Sequence, residues 1–280
     1  MGKVSHLYKD KKMENERKRV VLCIKPVKTE ILFQHRGEDG EPFQMNPYEL
    51  KALENLVELK KKEEENFCLT CICMGDRKAE SILRRSLAMG ADEGVLVSDN
   101  IFAGSDTVAT TYILQKAVEK LGNVKMVVCG VKTIDGETGQ VPLGICERLG
   151  FPSAINANEI LKIKDKSVIY KYQDGKEKKT MESKFPVVVK YRDFKMDLPM
   201  LPLVAIKKAK KKEILLLDSK NMDIDPKRCG IKGSKTKVTE IRTKYKKKEK
   251  IKIQGNIQEM IGVIVNQLSE GEGKREESFG

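Results

Sequence analysis

A chain of 280 residues, 40% of them hydrophobic, can bury a substantial core, so one large domain with appendages is expected. Seven cysteines, an odd number, suit a reducing compartment better than a disulfide framework, and no apolar run reaches membrane-spanning length, so no membrane insertion is expected. The net charge of +13 sits in lysine runs such as 207–212 and 246–250. With no Trp, few aromatics to stack bases and no zinc or recognition motif, these runs read as a solvated face, not as a nucleic-acid interface.

Residues 1–18 are basic but lack the apolar stretch of a secretory signal. Asp10, Glu14 and Glu16 weaken a transit-peptide reading, and Ser5 stands one position early for a myristoylation signal. A flexible arm on a cytoplasmic protein is expected. Arg19 to Lys25 then reads as a strand. Asn46-Pro47-Tyr48-Glu49 opens a helix over 47–62, with Asn46 as N-cap, Pro47 in the first turn and Glu49 placed for a capping box. Leu50, Leu53, Leu56 and Val57 share its apolar face, and Asn46 could equally orient a ligand.

Phe67 to Met74 is a continuous apolar run, as are Gly94 to Ser98, Met126 to Val131 and Phe185 to Tyr191. Such runs indicate strands buried on both faces. Helical patterns fall between them, over Lys78 to Met89, Asp106 to Leu121 and Gln140 to Leu149. Cys68, Cys71 and Cys73 resemble metal-ligand spacing, yet strand alternation separates Cys68 from the other two and favours core packing. Short strands over Glu159 to Lys164, Ser167 to Gln173 and Lys176 to Glu182, with a type I′ turn at Asp174-Gly175, form an antiparallel flap at about 156–184. Leu201 to Lys250 is lysine-rich with little periodicity and reads as an extended arm, followed by a helix from Ile257 to Leu268.

Alternating strands and helices imply an α/β fold with a parallel sheet. The expected organisation is an arm over 1–18, a nucleotide-binding domain with its flap over 19–200, and a C-terminal arm with its helix over 201–280. Two loops leave carboxyl ends of strands, where open α/β sheets hold ligands. One spans 99–107, with Ser105 or Asp106 as the cap of the following helix. The other runs from Asp135 through Gly136, Glu137, Thr138, Gly139 and Gln140 to Val141 and Pro142. Its glycines allow tight turning and close approach, and the helix start directs unpaired amides and a positive dipole end toward a phosphate. Pro142 is tolerated in a first turn.

Asp106, Asp135 and Glu137 are poor direct neighbours for phosphate and should serve hydroxyls, caps or backbone. Two ordinary capped loops remain the alternative reading. His6 and His35 are the only histidines, which argues against most histidine-based catalysis, and no catalytic residue or metal site is expected.

Arg19 to Lys25, Met45 to Glu49, Ser86 to Asp92, Ile134 to Gln140 and Lys207 to Lys212 together resemble the electron-transfer flavoprotein β subunit, over roughly residues 19–268. The resemblance implies a Rossmann-related domain of the adenine-nucleotide α-hydrolase-like type, paired with a larger α subunit that carries an FAD. The crevice holds AMP in many members of that family and a second FAD that receives hydride from NADH in electron-bifurcating members. Phe102-Ala103-Gly104-Ser105-Asp106-Thr107 and Cys229 to Ser234 are similar to the bifurcating group, so FAD is expected.

Carried over by this resemblance, Cys23, Ile24, Lys25, Asn46, Pro47 and Tyr48 lie beside the adenosine. Met74 and Gly75 close the floor, Phe102 to Thr107 embrace the isoalloxazine side, and Asp135 to Pro142 cradle the pyrophosphate. The flavin performs the redox chemistry, and the protein sets its potential and orientation. The family's Val-Pro-Asp after the first strand is replaced by Pro26-Val-Lys-Thr29. Its partner-docking Asn-Glu-Pro-Arg is replaced by Met196-Asp-Leu-Pro199, with Leu198 as the anchoring apolar residue. An acyl-CoA dehydrogenase-like flavoprotein is the implied partner, with ferredoxin or flavodoxin as a further acceptor. A non-bifurcating β subunit with structural AMP and a stand-alone adenine-nucleotide-binding module are the competing readings.

Overall fold

The structure, a computed structural model, describes residues 17–28, 43–62, 67–236, 256–258, 260–263 and 265. Most of the N-terminal arm, both histidines and the lysine run at 246–250 lie outside the described residues. The chain divides at Lys237, and the second unit, from Val238 onward, is helical at 257, 258, 260–263 and 265.

In the first unit the apolar runs become β1 (Lys18–Ile24), β4 (Phe67–Met74), β5 (Glu93–Val97), β6 (Val124–Gly130) and β10 (Val187–Tyr191). A two-stranded ribbon of β2 (Pro26–Lys28) and β3 (Phe43–Met45) leads into α1 (Pro47–Lys62). The helices α2 (Glu80–Met89), α3 (Thr107–Leu121) and α4 (Val141–Leu149) follow β4, β5 and β6. With β7 (Ser153–Ile163), β8 (Ser167–Asp174), β9 (Glu177–Lys184) and β11 (Ile214–Leu217), a nine-stranded sheet runs in the order β11-β5-β4-β1-β6-β10-β7-β8-β9. It is parallel from β11 through β7, and Leu22 of β1 stands opposite Cys71 on one side and Val128 on the other.

Strand alternation divides the core. Val20 and Leu22 join Leu50, Leu53, Leu56, Ile82 and Leu83 under α1 and α2, whereas Val21 and Cys23 join Tyr112, Ile113, Ala117 and Ile145 under α3 and α4. Helices on both faces are why these strands are apolar throughout. The order reverses at β1: the chain moves outward through β4 and β5, then returns to β6 on the other side. That reversal opens a crevice beyond the carboxyl ends of β1 and β6.

Three expectations change. The first strand of the flap, β7, runs Ser153–Ile163, and its early part pairs parallel with β10, Val188 opposite Ser153. Small residues such as Ala154 and Ala157 are fully buried there but give no strong apolar signal in sequence. In the hairpin of β8 (Ser167–Asp174) and β9 (Glu177–Lys184), the loop is Gly175-Lys176, with Gly175 at φ 57° in the first loop position. A glycine there fits the II′ pattern and not the expected I′ turn centred on Asp174-Gly175.

The extended arm from 201 is corrected most. Leu203–Lys211 is helix α5, and Ile214–Leu217 is β11, which adds to the sheet beside β5 with Leu217 opposite Val97. A strand of four apolar residues between Glu213 and Asp218 is too short to show a period. The helix buries only Ala209, so its lysines hide its packing face. Residues 218–236 continue as an irregular strap that buries Met222 and Cys229 in the second core.

All seven cysteines are free and six are buried. Among the described residues no cluster of side chains could hold a metal ion, and no helix is long and apolar enough to cross a membrane.

Candidate functional site

A cavity of about 1020 Å³ occupies the crevice, at the upper end of the range for small-molecule sites. Cys23, Ile24 and Lys25 line it from β1, Met74 and Gly75 from β4, and the whole of 102–107 from the loop after β5. Gly136, Thr138, Gly139, Val141 and Pro142 line it from the loop after β6. Asn46, Pro47, Tyr48, Asp135, Glu137 and Gln140 do not.

These six act from behind. Asn46 is fully buried; its Nδ2 donates to the Lys132 carbonyl at 3.0 Å and its Oδ1 accepts from Ile134 N–H at 3.3 Å. It therefore ties the start of α1 to the loop after β6 and does not form the expected reciprocal box with Glu49, whose carboxyl group accepts from Lys25 N–H at 2.6 Å. The Pro47 carbonyl accepts from Lys195 N–H at 3.2 Å, and the Tyr48 ring packs on Phe194 at 5.6 Å. Asp135 is held by Lys25 Nζ at 2.7 and 2.8 Å. Glu137, left-handed at φ 52°, pairs with Lys132 at 2.9 Å.

Gln140 joins the two helix starts. Its Oε1 accepts from Thr107 Oγ1 at 2.9 Å, linking the residue before α4 to the first residue of α3. The helices can approach because residue 144 is glycine: a Cβ there would meet Thr111 Cγ2 at 2.6 Å. Two positive helix ends thus border one cavity. The amides of Thr138, Gly139 and Val141 donate to no acceptor among the described residues, which suits an anionic guest bound through main-chain groups.

The carboxylates nearby are already engaged. Burial opposes ionisation of Asp135, but hydrogen bonds from Lys25 and Thr133 outweigh it and hold the group below the usual carboxylate range. Asp106, not Ser105, caps α3, accepting from Val108 and Ala109 N–H at 2.9 and 3.0 Å through Oδ1. Its Oδ2 accepts from Lys235 and Thr236 N–H at 2.6 and 2.9 Å, while Gly230 N–H donates to Ser105 Oγ at 3.1 Å. The strap is therefore fastened along the outside of the 102–107 loop.

Burial works against ionisation of Asp106 too, and the amides of Ala109, Thr236 and Lys235 prevail, so its pKa is lowered. A depressed pKa adds stability above the ordinary value that is lost as pH falls through the folded-state value. Hydrogen-exchange protection at 234–236, taken relative to the intrinsic rate at each pH, should consequently be constant near neutrality and fall below about pH 4. Unchanged protection in acid would remove Asp106 as the fastener.

Several lining residues escaped the sequence. Glu49 reads there only as a capping partner, and Leu216, Asp218 and Lys220 follow from the unrecognised β11. Asp76, Arg77 and Ser98 stand just after β4 and β5, where the rule for carboxyl-end loops, which did bring out the loop from Asp99, could have found them. In the loop before α5, Leu198 packs against the core; Phe194, 56% exposed, Met196, 39%, and Met200, 99%, carry its outward apolar surface.

Residues 37–221 match the electron transfer flavoprotein domain. The chain is 34% identical over 234 residues to electron transfer flavoprotein subunit beta of Thermoanaerobacterium thermosaccharolyticum, covering 82% of this chain and 88% of the relative. It is 35% identical over 228 residues to the subunit of the same name from Megasphaera elsdenii, covering 79% and 81%. Caffeyl-CoA reductase-Etf complex subunit CarD of Acetobacterium woodii is 32% identical over 228 residues, covering 79% and 86%. With a crevice at the switch point of a parallel sheet and relatives that match along most of their own length, the chain belongs to the electron transfer flavoprotein family, among its β subunits.

Proposed function

We propose that this chain is the β subunit of a cytoplasmic, heterodimeric electron transfer flavoprotein of the electron-bifurcating kind, with FAD in its crevice. The observation that carries the reading is the cavity itself, which reaches from the free amides of Thr138, Gly139 and Val141 to the far loop at 102–107. A mononucleotide such as AMP would use the near part, and the remaining room favours a dinucleotide. The names of two relatives, the caffeyl-CoA subunit above and acryloyl-CoA reductase electron transfer subunit gamma of Anaerotignum propionicum, place those proteins with CoA reductases. Free buried thiols fit a reducing cytoplasm.

In this reading FAD supplies the one- and two-electron chemistry, with NADH or a dehydrogenase as donor. The protein binds and orients. Thr138, Gly139 and Val141 would hold phosphate oxygens through the backbone, with Asp135 and Glu137 kept aside by Lys25 and Lys132 and the Gly136 amide donating to Asp135. Cys23 to Lys25, backed by the residues at 46–48, would border the adenosine, Met74 and Gly75 the floor, and 102–107 the ring, where Phe102 would exclude water. The larger α subunit completes the complex. The 193–200 loop, with Phe194, Met196 and Met200 facing outward and Leu198 turned to the core, would meet an acyl-CoA dehydrogenase-like flavoprotein, and ferredoxin or flavodoxin would take the second electron.

Coexpressed with its α subunit, the chain should yield a heterodimer containing two flavins. A single FAD, with AMP recovered from the crevice, would overturn the bifurcating reading while leaving the β-subunit assignment. Tight nucleotide binding by a stable monomer that ignores the α subunit would overturn the subunit role.

A further inference from the structure

Glu49 is only 5% exposed, yet it lines the crevice between the ends of β1 and β6. One carboxyl oxygen accepts from Lys25 N–H at 2.6 Å, and the other lies 3.2 Å from Asn46 Nδ2. Its stem packs on Gly130, where an added Cβ would come within 3.3 Å of Glu49 Cγ. The group is thus fixed at the switch point from both central strands.

The titratable and charged groups around it come from every neighbouring element. They are Lys25 and Cys23 on β1, Cys73 and Cys71 on β4, Cys129 on β6, and Lys132 and Asp135 in the loop beyond. Lys25 Nζ pairs with Asp135 at 2.7 Å, and its charge offsets only part of the burial penalty on Glu49. Burial dominates and pushes the Glu49 carboxyl up to about 8, against the opposing hydrogen bonds from Lys25 N–H and Asn46. Near neutral pH the side chain therefore carries its proton.

Building on the nucleotide reading above, we propose that Glu49 is a proton-bearing positioning residue: neutral, it joins the end of β1 to the start of α1 without placing a fixed negative charge in a crevice meant for phosphate, and its ionisation weakens the grip on an anionic nucleotide. The sign follows from linkage. A bound phosphate group favours the protonated carboxyl, so binding takes up a proton above about pH 8, and affinity falls by up to about tenfold per pH unit over that window.

The test uses the full chain in its heterodimer, stripped of crevice nucleotide, titrated calorimetrically with ADP, which shares its adenosine and phosphate with both FAD and AMP. Buffers of differing ionisation heat report the protons exchanged. Uptake should be near zero at about pH 6.5 and approach one proton at about pH 9, with the stated loss of affinity. Glu49→Gln should bind ADP with neither uptake nor that slope. A variant that keeps the wild-type slope overturns the proposal. If the variant fails to assemble, the wild type decides alone, because absent proton uptake at alkaline pH refutes it. A wild-type heterodimer that binds no ADP at any pH refutes the crevice reading itself, an outcome distinct from pH-independent binding.

Discussion

Replacing Asn55 with alanine is expected to destabilise the domain by about 3–5 kcal/mol, read as a lower denaturant midpoint at unchanged slope. Asn55 is buried in α1, and its side chain serves the backbone of Ile160 twice, donating to the carbonyl at 3.0 Å and accepting from the amide at 2.7 Å. It also accepts from Tyr191 Oη at 3.3 Å. The pairing of β7 with β10 reaches only Ala157, and the register of β7 with β8 shifts after Ile160. The helix therefore supplies what the sheet does not. Truncation strands a donor and an acceptor of a fully buried residue and leaves the hydroxyl of Tyr191 without this partner; each uncompensated group costs about 1–3 kcal/mol. A change below about 1 kcal/mol would show that water reaches Ile160.

The second large effect concerns the strap. Gly230 has φ 56°, and a Cβ there would sit 2.3 Å from the Ile101 carbonyl oxygen and 2.8 Å from that of Ala103. Both obstacles are backbone and cannot rotate away, and the left-handed conformation adds about 1–2 kcal/mol for any residue with a side chain. Gly230→Ala should lift residues 229–236 from the loop after β5, breaking the Gly230–Ser105 and Thr236–Asp106 bonds. Tyr112, whose ring faces the Arg228 guanidinium at 3.9 Å and whose hydroxyl accepts from Asp225 N–H at 2.8 Å, would retain only the first part of the strap. Amide exchange should accelerate both at 229–236 and at 101–108, and crevice nucleotide should dissociate at least about tenfold faster, as expected when a site loses pre-organisation worth about 1.4 kcal/mol. Faster exchange in the strap alone would mean that the loop holds its shape without it.

Much of the fold was legible before any coordinates. The buried strands announce themselves because both faces of a parallel sheet are covered, and Val20, Val21 and Leu22 leave no polar position to misread. The loop at 135–142 and the helix starts at Pro47, Thr107 and Val141 were legible for a related reason: glycine freedom, proline restriction and capping act over a few residues. What failed lacked such local marks. Ala154 and Ala157 lie in a strand that alanine does not signal, and four apolar residues among lysines conceal β11.

By itself, then, the sequence determined the α/β class, the central strands and the glycine-containing loop that lines the crevice, since each depends on periodicity or backbone restriction within a short window. Tertiary structure alone decided which residues stand together at the switch point. It turned Asn46 from a cap into a tie for the loop beyond β6, made Glu49 a buried neutral carboxyl and laid the strap against the 102–107 loop. Those outcomes depend on which strands become neighbours and how deeply a side chain is buried, and contacts between residues a hundred positions apart leave no local pattern to read.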